Sequence, residues 1–319
     1  MDKKNIMYNI MDNFHNIINS NKVMAEYIVT PIAPYIICDH FFATEIHQDS
    51  GPKYVNYKLN IKANDLLKNH NYNDIKNFDI VQVQADYFKP FCEYILPFLE
   101  KKNIYIIIIT SQQHADQIYK NDNTDMFLNN KHILLWISQN PIYNNNSKYM
   151  GIPYGLLHEK LDDYINFVKT YDNNKEKNNI ILNQCTRVHN HLPYNHIRRM
   201  YDIFGKNSGE ELNYKDYLEN ISNAQFVISP TGDRDDCYRH YECIGLNAIP
   251  ISNINSNYKS IFQENMIYSN ALEMKKFVDN KKVDYNYFKP NRDILTIEYW
   301  VNKINNKINE IKLNFGKNN

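Results

Sequence analysis

At 319 residues the chain is long enough for two domains of ordinary size, and 43% hydrophobic content can give each a core. Its 36 basic residues cancel its 36 acidic ones, which argues against nucleic-acid binding, a task that needs a basic excess or a concentrated basic patch. The longest apolar runs, 104–110 and 133–137, are too short to span a bilayer, and the polar N-terminus has no signal-peptide pattern, so a soluble protein without a membrane span is expected. Five scattered cysteines (Cys38, Cys92, Cys185, Cys237, Cys243) form no CxxC pair and suit a reducing, cytoplasmic compartment.

Short apolar runs alternate with helical segments along the whole chain, the mark of an α/β fold. In the first half, strands are predicted over 32–38, 80–83, 104–110 and 133–138. Helices are predicted over 87–101, over 111–121 with Thr110 and Ser111 as caps, and over 156–171. Near-continuous Ile runs, rather than alternation, indicate parallel strands covered on both faces. The polar stretch DNNKEKNN at 172–179 is the best linker candidate. Beyond it come a strand at 180–183, helices at 195–204 and 213–223, strands at 225–229 and 249–252 around a short helix, a strand at 266–269 and a helix at 271–279. A closing helix at 294–313 has Ile297, Trp300, Val301, Ile304, Ile308 and Ile311 at helical spacing. The predicted architecture is two Rossmann-like domains facing across a cleft. These are an N-terminal domain over 1–171 and a C-terminal domain over 180–290, with 291–319 packing back on the first.

The most informative segment is 225–251, QFVISPTGDRDDCYRHYECIGLNAIPI. It reads as strand, polar turn, helix and strand, the βαβ unit of a parallel sheet, whose ligands bind beyond the carboxyl ends of the strands. Thr231 and Gly232 lie in that turn, and the following helix start favours an anion. Arg239 has the planar fork that suits a diphosphate, and Glu242, one turn on, can accept two ribose hydroxyls. The plain alternative for this pair is a surface ion pair at i, i+3. Asp233 and Asp235 form a DxD triplet, but Asp235 or Asp236 is equally placed to cap the helix, so no metal is expected.

Arg187 and Arg198, in IILNQCTRVHNHLPYNHIRR at 180–199, are candidate phosphate contacts near a strand end. The neighbouring His189, His191 and His196 lack structural-zinc spacing. In the first half Asp39, His40 and Asp86, and likewise His114 and Asp116, stand where carboxyl strand ends are predicted, and the sequence does not choose a general base among them. GxSxG, GxxxxGK[ST], GxGxxG and HExxH are all missing, and 8 glycines leave no room for a glycine-rich phosphate cradle.

Taken together, Tyr217-Leu218, Ser222, Phe226-Val227-Ile228, Pro230-Thr231-Gly232, Arg239, Glu242 and Ala248-Ile249-Pro250-Ile251 resemble the C-terminal signature of exostosin-like glycosyltransferases. The resemblance implies the GT-B architecture of that family, with Arg239 on the donor diphosphate and Glu242 on the donor ribose. It implies a UDP-sugar as co-substrate, a glycan or other hydroxyl as acceptor, inversion at the anomeric carbon, and no required cofactor. The chain departs from the family in having Asn247-Ala248 where Gly-Cys is usual, and it lacks the membrane anchor and secretory cysteines of the animal enzymes. A nucleotide-sugar epimerase of the same architecture, or a non-catalytic carbohydrate-binding protein on a transferase scaffold, are the alternatives.

Overall fold

The apolar runs become the strands of two all-parallel sheets. The computed structural model describes residues 13–22, 24–42, 74–111, 118–172, 175–183, 212–231, 234–280 and 288–318. The first sheet has the order β1 (His40–Phe42), β2 (Ile80–Gln84), β3 (Ile106–Ser111), β4 (Ile133–Ser138) and β5 (Tyr149–Gly151). Strand β3 is buried at every position, as its unbroken apolar run requires of a strand covered on both faces. On one face Val81, Val83, Ile106, Ile108 and Trp136 join a core with Phe88, Phe91 and Phe127. Phe88 stacks on Trp136 at 5.5 Å, and the indole Nε1 donates to Thr110 Oγ1 at 2.9 Å.

Two predicted elements of this half are corrected. Residues 32–38 do not form a strand; they hold helix α1 (Ala33–Ile37). Pro34 has a φ suited to a first helical turn and no N–H to give a ladder. Of the helix predicted at 111–121, residues 112–117 lie outside the described residues, Ser111 ends β3 and 118–121 are not helical; the next described helix is α2 (Asp122–Asn129). Asn121 caps it: its side chain accepts from Thr124 N at 3.1 Å, and Thr124 Oγ1 accepts from Asn121 N at 2.9 Å. The two predicted caps are engaged elsewhere, Thr110 by Trp136 and Ser111 by Gln82 Nε2 at 2.6 Å. The helical stretch 85–101 contains a π-type turn at Phe91–Ile95, between Pro90 and Pro97, whose missing N–H groups interrupt the regular ladder.

The second half adds α3 (Leu161–Thr170), β6 (Asn179–Leu182), α4 (Tyr214–Ser222), β7 (Ala224–Ile228), α5 (Tyr238–Gly245), β8 (Ile249–Ser252), β9 (Ile267–Tyr268) and α6 (Ala271–Asn280). The helix predicted at 195–204 lies outside the described residues. The sheet order is β6-β7-β8-β9, with Phe226 opposite Ile249 and Ile228 opposite Ile251. Pro250 is tolerated in β8 for a local reason. Ile251 O accepts from Ser229 N at 2.9 Å, on the β7 side, so the alternate residue Pro250 turns its nitrogen toward β9, whose pairing begins only at Ile251. Phe226, Ile228, Ile249, Ile251 and Met274 form the core here.

The chain closes with α7 (Ile297–Asn318), in which Trp300, Ile304 and Ile308 are buried. It divides into two compact units, Met1–Ile28 with Gly155–Thr296 and Val29–Tyr154 with Ile297–Asn319. The boundary therefore falls not at the polar stretch 172–179 but before α3, which buries Leu161, Tyr164, Ile165 and Val168. Tyr164 Oη donates to Glu242 O at 3.0 Å, and a Cβ at Gly245 would overlap that hydroxyl. Lys177, from the expected linker, is instead an anchor: its Nζ donates to Ser222 O at 2.7 Å and to Leu246 O at 3.0 Å, both at helix C-termini. The N-terminal residues belong to the same unit, with Phe14 N donating to Asp293 Oδ1 at 3.2 Å and Ile28 bridging Thr296. In the other unit Phe315 of α7 meets Phe78 and Tyr105 edge-on. Among the described residues no helix is long and apolar enough to cross a membrane.

Candidate functional site

Strand β7 delivers the chain to Ser229, Pro230 and Thr231 at its carboxyl end; Gly232 and Asp233 lie outside the described residues. Thr231 N donates to Asn253 Oδ1 at 3.0 Å, and Asn253 Nδ2 donates back to Thr231 Oγ1 at 3.2 Å. Asn253 follows β8, so this pair ties the carboxyl ends of two neighbouring strands together. Helix α5 then begins from Cys237, which is extended and offers no side-chain cap. Arg239 stands half-buried in the first turn.

Arg239 and Glu242 are joined through helix α4. Tyr214 and Tyr217, three residues apart and hence on one face, stack with ring centroids 5.9 Å apart. Their hydroxyls donate to Glu242 Oε1 and Oε2, each at 2.7 Å. Arg239 Nε donates to the Tyr217 hydroxyl at 3.2 Å, with its guanidinium carbon 5.7 Å from the ring centroid. Burial pushes the Glu242 carboxyl up, opposed by the two tyrosine hydrogen bonds and by Arg239. Burial, followed by the charge of Glu242, drives both tyrosine hydroxyls well above their ordinary range, so they remain donors. The spacing predicts Glu242 beside Arg239 facing a ligand. The structure instead turns it inward, 4% exposed, with both oxygens already accepting.

Beneath the turn, His240 is fully buried, its Nδ1 2.7 Å from Ser229 Oγ. Cys237 Sγ lies 3.6 and 3.5 Å from Nδ1 and Nε2, beside the ring rather than in line with one nitrogen. Burial raises the Cys237 thiol to about 11 and lowers the His240 imidazole to about 4, so neither carries charge at neutral pH. This is a packed cluster, not an activated thiol. Asp236 is no helix cap; it is buried and accepts from Tyr241 Oη at 2.5 Å, which leaves the N-cap to Cys237. Asp235 contributes its carbonyl, 3.4 Å from His240 Nε2. Among the described residues no group of three or more His, Cys, Asp or Glu is placed to hold a metal.

The candidate bases of the first half are separated. Because 33–37 is helical and the strand starts at His40, Asp39 and His40 sit at the amino edge of the sheet, opposite the edge predicted for them. There Asp39 Oδ2 accepts from Ile80 N at 2.8 Å, and His40 Nε2 pairs with Asp79 Oδ2 at 3.0 Å. Among the described candidates Asp86 alone follows a carboxyl strand end, in the short helix Ala85–Tyr87 after β2. Arg187, Arg198, His114 and Asp116 lie outside the described residues.

No protein-family model matches the chain, and no curated protein matches it. What the site can do follows from its own geometry. A cation in the first turn of a helix with no side-chain cap, beside the tied carboxyl ends of β7 and β8, is suited to an anion such as a phosphate. Asn253 at the strand ends and Tyr214, which holds only Glu242, did not stand out in the sequence; Tyr217, which holds Arg239, entered there as part of the exostosin-like resemblance alone. The i, i+3 spacing of the two tyrosines on a helix just before the βαβ unit is a signal that could have found Tyr214.

Proposed function

We propose that the protein is a glycosyltransferase that moves a sugar from a nucleoside-diphosphate donor, a UDP-sugar by the exostosin-like resemblance, to an acceptor hydroxyl with inversion. The observation that carries this reading is Arg239 at the start of α5, oriented by Tyr217 and placed beyond the carboxyl end of β7. A guanidinium and a helix N-terminus there can neutralise the charge that grows on a departing diphosphate, a role that needs no metal. The four-stranded unit would hold the donor in a GT-B-type division of labour. The five-stranded unit would receive the acceptor, with Asp86 at the carboxyl end of β2 as candidate base.

Two measurements test the reading. UDP and UDP-sugars are expected to raise the melting temperature, with or without Mn²⁺. Arg239→Ala is expected to lower donor turnover by about a hundredfold or more while the fold, read by circular dichroism, is unchanged. Undiminished donor hydrolysis in that variant rules the assignment out. Conversion of the donor without an acceptor would indicate an epimerase, and a panel of nucleotides and nucleotide sugars that leaves the melting temperature unmoved would indicate a non-catalytic carbohydrate-binding protein.

A further inference from the structure

We infer that Glu242 is a positioning residue, acting on a bound diphosphate through Tyr217 and Arg239 rather than touching the donor ribose. The inference rests on the donor-site reading above and departs from what the family resemblance assigns to Glu242. Three observations carry it. Glu242 is 4% exposed, and each of its oxygens already accepts a tyrosine hydroxyl at 2.7 Å. Each carboxylate oxygen keeps a second lone pair, so it is the burial of the group, together with the two charge-assisted tyrosine bonds that hold it inward, that keeps it from a ribose.

The second observation is directional. A tyrosine hydroxyl carries one hydrogen, and Tyr217 spends it on Glu242 Oε2, so toward Arg239 it can only accept. The chain Arg239 Nε–H to Tyr217 O–H to Glu242 thus runs one way, from cation to carboxylate, and each bond polarises the next. Holding Nε fixes the guanidinium plane and with it the direction of the Nη fork that suits a diphosphate.

The third observation is an internal control. Tyr214 holds the other oxygen of Glu242 at the same 2.7 Å, from the same helix, yet the bond from Arg239 Nε goes to Tyr217. Removing the Tyr214 hydroxyl should cost stability; removing that of Tyr217 should cost ligand affinity as well.

The test is calorimetric titration of the full chain with inorganic pyrophosphate and with UDP, alongside melting temperatures, for wild type, Tyr217→Phe and Tyr214→Phe. Tyr217→Phe is expected to weaken both ligands by the same factor, about tenfold, because only the shared diphosphate contact is disturbed. Tyr214→Phe is expected to lower the melting temperature and leave both affinities unchanged. If Glu242 contacts the ribose, Tyr217→Phe releases Oε2, and UDP binds as well as before or better; that result overturns the inference, as does an unchanged pyrophosphate affinity. Should Tyr217→Phe not fold, Glu242→Gln replaces it. Equal weakening of both ligands is expected, and weakening of UDP alone overturns the inference. A wild-type protein that binds neither ligand overturns the donor-site reading itself and this inference with it.

Discussion

His240 sits under the turn that leads from β7 to α5, enclosed by Ser229, Cys237 and the edge of Phe262. Burial holds its imidazole neutral, with a folded value of about 4 against an ordinary 6.5. Because the folded value lies below the unfolded one, acidification protonates the unfolded chain first. Stability is therefore lost as pH falls from about 6.5 to about 4, and the loss levels off below that. The difference between those two values corresponds to roughly 3 kcal/mol. We expect the urea midpoint to fall between pH 7 and pH 4.5 by less in His240→Asn, which keeps a hydrogen-bonding group for Ser229, than in wild type. Equal falls would show that His240 does not govern the acid limit. The probe must be far-UV circular dichroism, since Trp136 and Trp300, the chain's 2 tryptophans, both belong to the five-stranded unit and do not report on this cluster.

At the scale of elements, α5 ends in a Schellman arrangement. Ala248 N donates to Cys243 O at 2.9 Å and Asn247 N to Ile244 O at 3.0 Å, with Asn247 left-handed at φ 56°. That conformation explains the departure noted in the sequence, for Asn is the residue that best tolerates a position where Gly is usual. Asn247→Ala should cost about 1–2 kcal/mol, and Asn247→Gly should retain near-native stability. The ranking is checked by chemical unfolding, and Ala proving as stable as Gly would show that the left-handed turn does not constrain the site. The same βαβ unit was legible beforehand because strong apolar strands flank a turn rich in Pro, Gly and Asp. Residues 32–38 were not: an apolar run of seven residues has no period long enough to separate strand from helix. That one element moved Asp39 and His40 to the opposite edge of the sheet. The inward turn of Glu242 was hidden for another reason, since its partners Tyr214 and Tyr217 come from α4 and meet it only through tertiary packing.

At the scale of the whole molecule, each compact unit is assembled from two stretches of chain, with crossings after Ile28, Tyr154 and Thr296. DNNKEKNN has the composition of a linker, yet Lys177 within it is fastened to the ends of α4 and α5. Composition reports solvent preference, and a lysine that bonds carbonyls through its tip while packing its stem escapes that signal. A fragment spanning 172–296 would keep Arg239 and the βαβ unit but lose α3 and the N-terminal residues. The four buried side chains of α3, at about 1.5–3 kcal/mol each, are worth about 6–12 kcal/mol, as much as the whole stability of an ordinary domain. Fragment 172–296 should therefore give the narrow amide dispersion of an unfolded chain in a proton–nitrogen NMR spectrum. Residues 1–28 joined by a flexible Gly/Ser linker to 155–296 should restore the dispersion, because that chain contains every segment of the unit. A well-dispersed spectrum from 172–296 alone would mean that α3 and the N-terminal residues only decorate the unit, and that the domain does begin at its polar stretch.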